Sequence, residues 1–168
     1  KTATVEHLIQ SRSGVYHPAS NPGSASGMPD RGTIRPGSRF HYNNWDFNAA
    51  GTAFEMMTGK DIYDAINDDL AIPIEMQDWD RQAQVPGGNK IYSVHRAYHM
   101  YYSTRDMARI GYLMLRNGKW KDTQVIPEWW VKESTSPFSP YSELSNNYRN
   151  KKAKYSYGYM WWLFDEES

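Results

Sequence analysis

Apolar residues recur at spacings of three and four along several stretches of the chain, which is the period of an amphipathic helix. The clearest stretch follows Asn44, where Phe47, Phe54 and Met57 share one face and Thr58-Gly59 provides a stop. Similar patterns predict four more helices: one capped by Thr4 and ended by Ser13-Gly14, one from Asp61 to Pro73, one from Ser103 to Asn117-Gly118, and one starting near Pro127.

The remaining segments follow other patterns. Residues 155–164, "YSYGYMWWLF", are the best strand candidate because they are dense in aromatic residues. Residues 16–38 are crowded with Pro, Gly and Ser and have no apolar period, which predicts a long irregular loop that could line a cleft or be mobile. Residues 77–90 contain Pro86-Gly87-Gly88 and predict a loop or a loose hairpin.

Composition narrows the class of protein. The length of 168 residues suits one domain, and 39% hydrophobic and 23% charged residues exclude wholesale disorder. Basic and acidic residues are balanced at 19 each, so no net field favours a nucleic-acid partner. No run approaches the roughly 20 apolar residues of a transmembrane helix. The absence of Cys excludes disulfides, thiolate catalysis and zinc-thiolate sites.

Two features leave alternatives open. The 13 Tyr and 7 Trp residues suit core packing first and ligand stacking second. The chain begins "KTATVEHL" without Met and stops inside an aromatic run. We therefore expect it to be a piece of a longer protein.

Several stretches, taken in order, resemble the serine β-lactamase and penicillin-binding-protein superfamily. "TVEHLIQSRSGV" is similar to a family helix that ends in Ser-Gly, and "FHYNNWDFNAAGTAFEMMTGKDIYDAINDDLAIPIEM" to its Tyr-x-Asn loop and the two helices that follow. "YYSTRDMARIGYLMLRNGKW" and "VIPEWWVKEST" are similar to a later helix and the segment after it. The resemblance is nearest to the branch of class C β-lactamases, esterases and D-alanyl-D-alanine peptidases.

The resemblance implies an α+β fold of two lobes with the active site between them. Residues 1–168 would be a single partial domain: the mostly helical lobe, with the start of the antiparallel sheet at its C-terminal end. Family catalysis uses a Ser-x-x-Lys nucleophile, a Tyr-x-Asn or Ser-x-Asn element, and a Lys-Thr-Gly or His-x-Gly strand, of which only the second occurs here. We expect the other two motifs before Lys1 and after Ser168, in parts that pack against this lobe, and we expect this piece alone to be inactive.

Tyr42 and Asn44 match the Tyr-x-Asn element. By this resemblance the intact protein is a serine hydrolase that acts through an acyl-enzyme on an ester, amide or β-lactam, and Tyr42 transfers the proton. A phenol serves as a base only where nearby cations favour its anion, and a lysine would do that. Asn44 carries a donor and an acceptor and would bind a substrate amide. The structural alternatives are that Tyr42 is a packed aromatic and that Asn44 is the cap of the following helix.

Other chemistry has weaker support. His95 and His99 are four apart but lack the glutamate of a His-Glu-x-x-His motif and a third ligand, so we expect no metal and no cofactor. The alternative to an enzyme is a non-catalytic ligand-binding relative or an aromatic-rich module that binds sugars or peptides. The expected partner is a small-molecule or peptide substrate. The resemblance implies a periplasmic, envelope-associated or secreted location.

Overall fold

The computed structural model describes residues 2–21, 28–144 and 154–164. In chain order, four α-helices come first, followed by one hairpin, a fifth helix and a second hairpin. The α-helices are α1 (Val5–Ile9), α2 (Asn44–Thr58), α3 (Ile62–Ile66), α4 (Thr104–Leu115) and α5 (Glu128–Ser134). A π-helical turn, Asn67–Ala71, extends α3, and a 3₁₀ turn covers Tyr141–Glu143. The strands are β1 (Lys119–Trp120), β2 (Thr123–Gln124), β3 (Tyr155–Tyr157) and β4 (Trp162–Phe164).

Side-chain caps explain where the helices begin. The Thr4 side chain accepts a hydrogen bond from the backbone of His7 at the start of α1, and the Ser103 side chain accepts one from the backbone of Asp106 in α4. The Asp61 carboxylate caps α3 in the same way. These three starts agree with the sequence prediction because a cap depends only on residues within one turn.

Three helix boundaries predicted from the sequence are wrong by one to a few residues. The cap of α2 is Asn43, whose side chain accepts from the backbone of Asp46, so Asn44 is the first helical residue and not the cap. Helix α1 ends at Ile9, before Ser13-Gly14. Pro127 precedes α5 as its N-terminal flanking residue instead of lying in its first turn.

The predicted strand at 155–164 is a hairpin of two short strands. β3 and β4 pair antiparallel, with Tyr157 opposite Trp162, and the chain turns back through Gly158, whose N–H donates to the Trp161 carbonyl at 2.9 Å. A second hairpin, β1–β2, was not predicted, because its strands are only two residues long. The fold is thus α+β and mostly helical, with antiparallel strands towards the C-terminal end, as expected.

An aromatic cluster packs the β3–β4 hairpin against the segment that leads into α2. Phe40, Tyr157 and Leu144 form its buried centre, and Tyr42 and Phe47 pack onto it. This cluster fixes the position of residues 40–47 relative to the C-terminal strands. No helix in the described residues is long and apolar enough to cross a membrane.

Candidate active site

Tyr42 lies half-buried at the edge of the aromatic cluster, two residues before α2. Its ring centroid is 5.0 Å from that of Phe47, 6.0 Å from that of Tyr157 and 5.6 Å from that of Trp162. Burial raises the pKa of the Tyr42 hydroxyl above the ordinary value of 10.0. In these surroundings the residue is a neutral phenol at pH 7, and its ring orientation is set by packing.

A buried polar pair anchors the first turn of α2 to the chain after α1. The Ser13 hydroxyl donates to the Asp46 carboxylate at 2.5 Å, and the Ser13 backbone N–H donates to the same carboxylate at 3.3 Å. Both side chains are almost completely buried. Burial raises the pKa of Asp46 to about 6, while the hydrogen bonds from Ser13 and Asn43 act in the opposite direction.

Asn44, two residues after Tyr42, belongs to a hydrogen-bond network of amide side chains. Its side-chain N–H donates to the Asn21 carbonyl at 2.9 Å. One turn later, the Asn48 side chain donates to the Asn21 side-chain oxygen at 2.8 Å and to the Ser20 hydroxyl at 3.2 Å. The Ser20 carbonyl in turn accepts from the backbone N–H of Asn89 at 2.7 Å. Helix α2 therefore holds residues 20–21, and these hold the loop that contains Asn89.

The two residues proposed from the sequence thus contact different parts of the fold. Tyr42 packs against the β3–β4 hairpin, and Asn44 binds the end of the segment 16–21. The described part of the predicted loop 16–38 does line cavities; residues 22–27 lie outside the described residues. Sequence reasoning missed Ser13, Asp46 and Asn48, although a buried Asp at a core-facing position of a helix is a detectable signal of polar anchoring.

The two histidines considered for metal binding do not share a helix face. The backbone from His95 to His99 is not helical, and the His95 ring packs against Trp45 with centroids 5.2 Å apart. Burial, followed by the nearby His17, lowers the pKa of His95. Among the described residues there is no group of three or more His, Cys, Asp or Glu side chains that could hold a metal ion.

The β-lactamase family model matches residues 1–167. The chain belongs to the β-lactamase family. This confirms the resemblance to the serine β-lactamase and penicillin-binding-protein superfamily, whose members are typically serine hydrolases. No curated protein matches the chain.

Solved structures agree on the fold. The chain is similar to a candidate β-lactamase from Bacteroides dorei (18% identity, TM-score 0.66), with 99% of this chain and 55% of that one covered. It is similar to a penicillin-binding protein from Bacillus halodurans (16% identity, TM-score 0.62), with 98% of this chain and 57% of that one covered. It is also similar to a candidate 6-aminohexanoate-dimer hydrolase from Bacillus anthracis (19% identity, TM-score 0.60), with 95% of this chain and 47% of that one covered. This β-lactamase-family chain therefore spans about half the length of the solved structures it matches.

Proposed function

We propose that the protein containing this chain is a serine hydrolase that forms an acyl-enzyme on an ester, an amide or a β-lactam. The observation that carries the proposal is the segment Tyr42-Asn43-Asn44, which leads into α2 in a chain of the β-lactamase family. The buried Ser13–Asp46 pair supports it, because this polar pair fixes the position of the first turn of α2. The nucleophilic serine and its lysine are expected before Lys1.

Tyr42 would move the proton during acylation. The serine oxygen attacks the substrate carbonyl carbon and its hydroxyl proton passes to Tyr42. Tyr42 accepts this proton directly if it is a phenolate, or relays it to the lysine if it is a phenol. When the tetrahedral intermediate collapses, the proton goes to the leaving group and the acyl-enzyme remains; water then hydrolyses it. Burial raises the pKa of Tyr42, so the phenolate form needs a nearby cation, which the lysine of the Ser-x-x-Lys motif would supply.

Asn44 would orient the substrate. A side-chain amide has two N–H donors and one carbonyl acceptor, and the structure uses one N–H to bind the Asn21 carbonyl. No hydrogen bond among the described residues uses the second N–H or the side-chain oxygen, and these two groups would bind a substrate amide. The bond to Asn21 would hold the side chain in one orientation, which lowers the entropy lost when substrate binds.

Labelling of the active serine tests this proposal. The intact protein should react with a fluorophosphonate probe or a fluorescent penicillin, and Tyr42→Phe should lower turnover by about two to four orders of magnitude, the scale of general acid–base catalysis. Tyr101→Phe is the matched control, because Tyr101 is 61% exposed and is assigned no part in proton transfer or substrate binding. A folded protein that is never labelled would contradict the hydrolase assignment. Unchanged turnover in Tyr42→Phe would remove Tyr42 from the mechanism.

The other parts of the same protein are proposed as the partners of this lobe. Several large apolar side chains are strongly exposed, as expected for a surface that further chain covers: Met56, Met57, Ile72, Leu115 and Phe164, at 81, 77, 65, 85 and 75%. A periplasmic, envelope-associated or secreted location is proposed from the family alone.

A binding function without catalysis is the second candidate, and α5 carries the observation for it. Trp129 is 67% exposed and Trp130 is 37% exposed on this helix, next to the stacked pair Phe138 and Tyr159, whose centroids are 4.5 Å apart. Exposed aromatic faces of this kind stack on sugars or peptides. Saturable binding of an oligosaccharide or peptide, lost in Trp129→Ala, by a protein that no serine probe labels would favour this candidate.

A further inference from the structure

A cavity of about 310 Å³ lies beside the start of α2, between the segment 17–18 and the loop 87–97. We call it the Trp45 cavity. Its size is at the lower end of the range for small-molecule sites, so it has room for one substituted ring and not for an extended chain. Its principal lining residues are His17, Trp45, Lys90, Tyr92, Val94 and His95.

Aromatic rings form the walls of the Trp45 cavity. The Trp45 ring contacts two imidazoles, with its centroid 5.4 Å from that of His17 and 5.2 Å from that of His95, the latter edge to face at 84°. Tyr92 adds a fourth ring, and Val94, 82% exposed, adds an apolar rim. A planar group can make offset or edge contacts with several of these rings at once, which a saturated group cannot.

Among the described residues that line the cavity, Lys90 carries the one formal charge. Lys90 lines it and makes no ion pair within the described parts of the chain, and the lining contains no Asp or Glu. Arg31 is close enough to contribute to the lowered pKa of His17, after burial, which is the larger cause. An anion would be attracted to this site and a cation repelled.

The loop that closes the cavity is held in place before any ligand binds. Gly87 and Ala97 pair across its neck through hydrogen bonds of 2.8 and 3.2 Å, and the Arg96 guanidinium donates to the Gly87 carbonyl at 2.9 Å. Two residues after Gly87, the Asn89 N–H donates to the Ser20 carbonyl. A fixed loop loses little entropy on binding, so a small ligand can bind with useful affinity.

We propose that the Trp45 cavity binds a planar, negatively charged group, such as an aromatic carboxylate. Trp45 follows Asn44 directly in α2, and the Asn44 side chain donates to the Asn21 carbonyl. The inference rests on the proposed hydrolase function where it concerns the substrate, which would then carry a planar anionic group. Binding itself needs no catalysis.

Calorimetric titration of the intact protein tests the inference with four simple probes. Benzoate should bind at least about ten times more tightly than benzyl alcohol, which lacks the charge, and than cyclohexanecarboxylate, which lacks the plane. N-acetylglucosamine should not compete with benzoate. Equal affinity for benzoate and benzyl alcohol, preference for the sugar, or no benzoate binding at 20–50 mM, roughly the weakest range such a titration detects, would overturn the proposal.

A charge variant locates the binding. Lys90→Gln should weaken benzoate binding about three- to tenfold and leave benzyl alcohol unchanged. Lys119→Gln is the matched control, an exposed lysine on β1 away from the cavity, and should change neither. Benzoate affinity that is unchanged in Lys90→Gln would place binding elsewhere and refute the site. Serine labelling is scored separately, so failure of the hydrolase proposal and failure of this one give different results.

Discussion

Replacing Asp46 by Asn should stabilise the protein at neutral pH, although Asp46 makes two buried hydrogen bonds. A carboxylate held in a buried site is disfavoured in its charged form, which is why its pKa rises from 3.8 to about 6. The folded state therefore binds its proton more tightly than the unfolded state does. Below pH 3.8 both states are protonated and no penalty exists; the penalty grows between pH 3.8 and about 6 and is constant above that.

The size of the penalty follows from the same pKa values. A rise from 3.8 to about 6 corresponds to at most ~3 kcal/mol in the free energy of unfolding. Asn has the same shape, and its oxygen can accept from the Ser13 N–H while its N–H donates to the Ser13 hydroxyl, which accepts as well as donates. We expect Asp46→Asn to be about 1–3 kcal/mol more stable than wild type at pH 7.5 and no more stable at pH 4.

Urea unfolding followed by circular dichroism at pH 4, 5, 6 and 7.5 measures this difference. Asp106→Asn is the control, since Asp106 is also fully buried but accepts from two backbone N–H groups, those of Gln77 and Asp78, at 2.8 and 2.9 Å. An amide there must direct its own N–H towards one of these donors, so this variant should be destabilised by about 1–3 kcal/mol. If Asp46→Asn loses stability at pH 7.5 as Asp106→Asn does, the argument from burial is wrong.

Backbone geometry gives the remaining predictions, each measured by thermal and urea unfolding. Gly111→Ala should gain about 0.5–1 kcal/mol, because the site is an exposed helical position with nothing within 4 Å of an added Cβ. Gly118→Ala should lose more than about 1 kcal/mol, because φ is +81° and the Cβ would lie 2.0 Å from the Ile126 carbonyl oxygen. If Gly111→Ala and Gly118→Ala changed the free energy of unfolding in the same direction, the argument from backbone geometry would be wrong. Ser103→Ala should lose about 1 kcal/mol, because it removes the cap that binds the Asp106 N–H at 3.1 Å; no loss would show that the cap contributes nothing.

Residues within one turn were sufficient to predict most helix starts. They were not sufficient where two adjacent residues could both act as the cap, or where a contact between residues distant in sequence decides the structure. Thr4 and Ser103 cap the helices that follow them, as predicted, and α3 starts after Asp61, where the sequence placed a helix start. Two consecutive asparagines both qualify as a cap, and only the structure identifies Asn43 instead of Asn44. The sequence pattern does not mark the boundary between β3 and β4, because aromatic residues are dense throughout residues 155–164.

The site was less predictable than the fold, because its anchors are far apart in sequence. Tyr42 and Asn44 were found through a family motif, and their roles stay predictions. The partner of Asp46 is Ser13, 33 residues earlier, and Asn48 binds residues 27 and 28 positions away. The Trp45 cavity likewise joins residues 17–18 to residues 90–95, and no local pattern reports such a combination.

The way the loop 87–97 is tied down separates its scaffold from its tip. The bonds at its neck, between Gly87 and Ala97, and the bond from Asn89 use backbone atoms. Within positions 90–94, only the Ser93 side chain takes part in a described hydrogen bond, since its hydroxyl accepts from the His95 N–H at 3.2 Å. Protein engineers could therefore exchange residues 90–92 and 94, keeping Ser93, to change ligand preference while the helices and their caps stay intact.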